Sequence, residues 1–167
     1  MIVSNTSPLM YLAKLGKLEF LQKLFGKVFI PQAVYTEVVV RGKERGFADA
    51  ILIEKAIDNR WMEVKKAVAD RKIEKYISEL DSGEAEVIKL AITLKPSLVL
   101  IDDAPARAIA QGLGLFVKGT LYVLLKANAK KLIDKNECKK LLSRMISLGF
   151  RISPELYGKI LEELEKF

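Results

Sequence analysis

The chain has 167 residues, half of them apolar and 29% charged, with a formal net charge of +7 and a pI near 9.4. That balance excludes intrinsic disorder and suits one domain with one sizeable core. Histidine is absent and cysteine occurs once, at Cys138, which excludes imidazole acid–base chemistry, Ser-His-Asp triads, His-ligated zinc and an internal disulfide.

Ile2–Ser4 reads as a first strand. Ser7-Pro8 then reads as an N-cap followed by proline at the first helical position, opening a helix over Leu9–Leu15 that Gly16 breaks. A second short helix covers about Leu18–Phe25. Val28–Ile30 is a second strand, and Pro31 opens a helix through about Val40. Gly42–Gly46 reads as a charged loop, Phe47–Asn59 as a helix and Trp61–Val64 as a third strand. Helices follow at about Ala69–Leu80 and Ser82–Leu94, the second stopped by Pro96. Leu98–Ile101 is a continuous apolar run, as expected of a buried parallel strand. A helix at about Ala104–Gln111 and a short strand at Leu115–Val117 come next. Three helices complete the chain, at about Leu121–Ala129, Lys135–Leu148 and Pro154–Glu165.

Strands alternating with helices imply a parallel α/β sheet covered on both faces, with right-handed connections. The expected organisation is one domain over residues 1–167, with C-terminal helices from about residue 121 packing on its core. No run of about 18 apolar residues is present, so no membrane span is expected. Met1–Val3 is too short for a signal-peptide core, and with a single cysteine the expected location is the cytoplasm. Abundant Lys, Glu and Ile with few Gln point to a thermophilic source.

Ligands of parallel sheets bind beyond the carboxyl ends of the strands. Asn5, Thr6 and Ser7 follow the first strand, and Asp102 and Asp103 follow Leu98–Ile101. Adjacent carboxylates at such an edge repel unless a cation relieves them, although one of them serves equally as a helix cap. Glu37 falls at helical spacing from Ala33 and Val34, where a carboxylate needs a partner such as Arg41, a route to solvent, or a metal. Asp81-Ser82-Gly83-Glu84 reads both as a capping box and as the source of a further site acid, Glu84. Glu86 reads as a solvated surface acid. Together these positions converge on one sheet edge. Oxygen donors suit Mg²⁺ or Mn²⁺ and, in a basic, His-free chain, hydrolysis of a nucleic-acid phosphodiester.

These residues resemble the PIN-domain family. The resemblance is carried by Ile2-Val3-Ser4-Asn5-Thr6-Ser7-Pro8-Leu9, by Glu37 in Tyr35-Thr36-Glu37-Val38, and by Gly83-Glu84-Ala85-Glu86-Val87-Ile88. Leu100-Ile101-Asp102-Asp103 with Arg107, then Gly119-Thr120-Leu121 and Gly149–Ser153, extend it over nearly the whole chain. It implies a three-layer sandwich around a five-stranded parallel sheet. It also implies Mg²⁺- or Mn²⁺-dependent endoribonuclease chemistry. Asn5, Glu37, Glu84 and Asp103 are then the catalytic set, and the same residues with Asp102 are the metal ligands. Relatives of the VapC toxin kind imply an RNA substrate, a small antitoxin partner and a homodimer. Asn5 departs from the aspartate usual in the family: its amide oxygen can coordinate but carries no charge and takes no proton as a carboxylate does. The other readings are a non-catalytic PIN-like module that binds RNA or protein, and an unrelated fold whose acids only cap helices.

Overall fold

The computed structural model describes residues 1–166, in two compact units, residues 1–120 and 121–166. In the first, β1 (Ile2–Ser4) is buried along its whole length, which is why its residues are apolar or small. Helices α1 (Thr6–Lys14) and α2 (Glu19–Phe25) lead to β2 (Val28–Pro31). A continuous helical stretch follows. It comprises α3 (Gln32–Tyr35), a π-helical segment (Thr36–Arg41) and α4 (Gly42–Glu44). Next come α5 (Ala48–Asp58), β3 (Met62–Lys65), α6 (Glu74–Ile77), α7 (Ser82–Leu94), β4 (Leu98–Leu100), α8 (Ala104–Gly112) and β5 (Val117–Lys118).

The five strands pair in the order β3-β2-β1-β4-β5, every pair parallel. Right-handed crossovers put the helices between β1, β2 and β3 on one face. The same rule puts α7 and α8, which accompany the return to β4 and the step to β5, on the other. The result is the expected three-layer sandwich. The chain leaves β1 towards β2 but later returns to pair β4 with β1, so a switch point opens between β1 and β4. Asn5 and Asp102–Asp103 sit directly beyond it.

Three local expectations change. The loop expected at Gly42–Gly46 is helical through Glu44. A Cβ on Gly42 would stand 2.9 Å from that of Ala50, so glycine here permits close helix packing rather than breaking the helix. The helix expected over Ala69–Leu80 shrinks to Glu74–Ile77. The Asp70 carboxylate accepts the Lys72 backbone N–H at 2.9 Å, a local bond that competes with helix formation. Finally, α1 starts at Thr6 with Asn5 as its N-cap, so Ser7 lies inside the helix and caps nothing.

The second unit consists of α9 (Thr120–Ala129, whose first residue closes the first unit), α10 (Lys135–Ser147) and α11 (Pro154–Glu165). Asp134 and Ser153 cap α10 and α11 through side-chain acceptors. Leu124, Leu141, Leu142, Met145 and Ile160 are buried. Tyr122, Leu125, Leu156 and Ile160 line an open apolar groove of about 450 Å³. Among the described residues no helix is long and apolar enough to cross a membrane.

Candidate functional site

Asn5 ends β1. Its backbone N–H continues the ladder to the Leu100 carbonyl at 2.9 Å, while its side chain does not cap the helix it precedes. Only 8% of Asn5 is exposed. One residue on, Thr6 is also buried, and its hydroxyl donates to Glu37 Oε2 at 2.7 Å. Glu37 itself is open to solvent, with Val38 and Val39 taking the buried side of the π-helical segment. It therefore does not lie inside an apolar stripe. Thr6 holds one of its oxygens at the rim of the sheet.

Across from this pair, Asp81 and Glu84 form the capping box expected at the start of α7. Asp81 Oδ1 accepts the Glu84 N–H at 2.8 Å, and Glu84 Oε2 accepts the Asp81 N–H at 3.3 Å. Between them Gly83 is buried against the first two residues. A Cβ built on it would lie 3.4 Å from Asp81 Oδ1, 3.5 Å from Asn5 Oδ1 and 3.7 Å from Glu37 Oε2. Three oxygens from three separate elements thus lie within 3.7 Å of the point where a side chain at position 83 would begin.

Burial pushes the Glu84 carboxyl above its usual range, with the charge of Asp81 next in weight; the bond from the Asp81 N–H opposes the rise, and Asp103 and Glu37 add to it. Glu84 therefore senses the other two predicted acids electrostatically, and their combined field favours a cation nearby.

The adjacent aspartates have separate tasks. Asp103 is exposed and caps α8, accepting the Ala106 N–H at 3.0 Å. Asp102 is half-buried and uses both oxygens on Thr120, accepting the backbone N–H at 2.7 Å and the hydroxyl at 2.6 Å. Burial raises its carboxyl, and the Thr120 bonds and the Arg107 charge oppose that rise. Thr120 and Arg107 thus supply the partners of Asp102 within the protein. Gly119 is required beside this clasp, since a Cβ there would stand 2.6 Å from Asp102 Oδ1. The Asp102 charge also reaches Tyr11 on α1, whose hydroxyl is raised chiefly by burial and secondarily by that charge.

Glu86 differs from the solvated acid expected. Its Oε2 accepts the Ala33 N–H at 2.8 Å, supplying the N-terminus of α3 with the cap that Pro31 lacks. No spacing rule links residues 33 and 86, so only the tertiary fold reveals this contact.

All the donor atoms are hard oxygens, the type that Mg²⁺ and Mn²⁺ select. Among the described residues no three Asp, Glu or Cys side chains gather closely enough to hold an ion by themselves. Mg²⁺ is commonly held through one or two carboxylates and keeps several waters, so a sparse set of oxygens fits it. A family model described as a PIN domain matches residues 1–166. No curated protein and no solved structure matches the chain.

Proposed function

This chain belongs to the PIN-domain family, a nuclease-type fold, and from that premise we propose that it is a metal-dependent endoribonuclease. The observation that carries the reading is the convergence of Asn5 Oδ1 and Glu37 Oε2 on the side-chain-free point at Gly83, beyond the β1/β4 switch point. Asn5, Glu37, Glu84 and Asp103 would hold Mg²⁺ or Mn²⁺. Such an ion, when bound, supplies a Lewis acid for the phosphate and lowers the pKa of a bound water.

The remaining work falls to the chain. Thr6 fixes one Glu37 oxygen, leaving the other to accept from water or a ligand. The Glu84 carboxyl is raised first by burial and then by the charges of Asp81, Asp103 and Glu37, and a cation beside these acids would offset that mutual repulsion. Asp102 acts as a positioning residue: its clasp on Thr120 fixes the turn from which Asp103 projects. The +7 net charge attracts the RNA backbone. Asn5 keeps the geometry of a donor but removes one negative charge, so weak cation affinity and slow hydrolysis are expected.

The wider reading is the toxin half of a toxin–antitoxin pair in the cytoplasm. It rests on the resemblance of Gly83–Ile88 and Gly119–Leu121 to one prokaryotic branch of the family. The apolar groove at Tyr122, Leu125, Leu156 and Ile160 supports a protein partner, whether a small antitoxin or a second copy.

One observation favours a second reading, a non-catalytic RNA- or protein-binding module. Glu84 and Asp103 already cap helices, and position 5 is an amide. The test is cleavage of single-stranded RNA with Mg²⁺ or Mn²⁺ by the native chain, Asn5→Asp and Asp103→Asn. The enzyme reading requires Asn5→Asp to cut faster than the native chain and Asp103→Asn to lose activity. An inert Asn5→Asp chain sinks it. Salt-sensitive RNA binding that ignores EDTA and loss of Glu84 would then establish the binding module.

A further inference from the structure

Gly83 is the second residue of α7, in its first turn, where glycine is a poorer helix former than alanine. Its backbone is not left-handed, so no conformation demands glycine. A Cβ would also meet its nearest neighbours at 3.4–3.7 Å, which is ordinary van der Waals contact. Gly42 and Gly119 are different: there a Cβ would stand 2.9 Å from Ala50 Cβ and 2.6 Å from Asp102 Oδ1. The three atoms nearest such a Cβ are oxygens, those of Asp81, Asn5 and Glu37. The most buried of them belongs to Asn5, which is only 8% exposed and whose side chain does not cap α1.

We propose that Gly83 is a positioning residue for a hydrated divalent cation: by lacking a side chain it keeps open the space that water on the ion needs between Asn5 and Glu37. The protein without metal has room for a methyl group at this point. A cation with its retained waters does not, because those waters must occupy the same few ångströms beside the donor oxygens.

This inference rests on the cation site proposed above. Its test compares the native chain, Asn5→Asp, Gly83→Ala and the Asn5→Asp/Gly83→Ala pair. Mn²⁺ affinity is read from the electron paramagnetic resonance of free Mn²⁺, and the thermal midpoint is measured with EDTA present. With EDTA, Gly83→Ala is expected to melt at or above the temperature of its parent, because alanine favours the helix. Its Mn²⁺ affinity is expected to fall about tenfold or more, the scale found when groups supporting a metal's ligands are altered. Equal Mn²⁺ affinity with and without the methyl group overturns the role of Gly83 and leaves the cation site standing. A clear drop in midpoint under EDTA also overturns it, by making Gly83 a packing glycine. No Mn²⁺ binding by Asn5→Asp with Gly83 intact overturns the cation site and this role together.

Discussion

Thr6 and Glu37, 31 residues apart in sequence, are joined by a 2.7 Å hydrogen bond from hydroxyl to carboxylate. The bond ties the first turn of α1 to the π-helical segment and presents one Glu37 oxygen towards Asn5 and Gly83. Thr6→Val keeps the shape and removes the donor. A hydrogen bond to a charged group contributes about 1.5–3 kcal/mol, and the exposure of Glu37 puts this one at the lower end. The expected result is a modest loss in denaturant midpoint and a larger loss of RNA cleavage in Asn5→Asp chains. Thr6→Ser should restore both. Unchanged cleavage by the valine variant would show that Glu37 needs no such support.

Asp102 and Asp103 should separate cleanly by substitution. Asp102→Ala abandons two hydrogen bonds at Thr120 in a half-buried place and should cost about 2–4 kcal/mol. Asp103→Ala loses a helix cap and should cost about 1 kcal/mol. Chemical denaturation measures both. Equal losses would contradict the division of labour between clasp and cap.

Glu84 sets a pH dependence whose sign is fixed. Its folded carboxyl lies above the ordinary carboxylate value, so the folded chain binds this proton more tightly than the unfolded one. The associated stability is present in full below the unfolded value and is lost as pH rises through the folded one. Asp102 has the same direction and adds to the effect. In EDTA, Glu84→Gln should therefore show a weaker fall in melting temperature between acid and neutral pH than the native chain. Adding Mn²⁺ at neutral pH should stabilise the native chain more than the variant. Parallel melting curves for the two chains across that range would refute the assignment.

Glu86 should matter for stability without touching the reaction directly. Glu86→Ala leaves the Ala33 N–H without its acceptor and should cost about 1 kcal/mol. Glu86→Gln, which keeps an acceptor, should cost less. Differential scanning calorimetry distinguishes this from the solvated acid that the sequence suggests, for which both changes would be silent.

The local frame of the candidate site is legible in the sequence because Asn5, Glu84 and Asp103 sit where strands end or helices begin. The strand at Ile2–Ser4, the run at Leu98–Ile101 and the Asp81–Glu84 box are each local patterns, and each appears where it is expected. Non-local contacts are a different matter. Glu86 reaching Ala33, Thr6 reaching Glu37 and Asp102 reaching Thr120 join residues far apart in the chain, and no periodicity encodes them. The π-helical segment is also hidden, since Pro31 through about Val40 reads as one ordinary helix. Ala69–Leu80 misleads for the opposite reason. Ile73 and Ile77 have helical spacing, but Asp70 bonds its own loop and the apolar face is too small to offset that.

The brevity of β5 has one more consequence. Val117–Lys118 forms one border of the sheet, and its two residues are followed at once by the Asp102–Thr120 clasp. An exposed border of unpaired backbone invites strand addition and aggregation, and shortness and lysine both discourage it. The opposite border, β3, carries Glu63, which forms ion pairs with Lys27 and Lys65. Both margins of the sheet are thereby blunted, one by its length and the other by its charges. Each margin thus carries a feature that disfavours pairing with a strand of another chain.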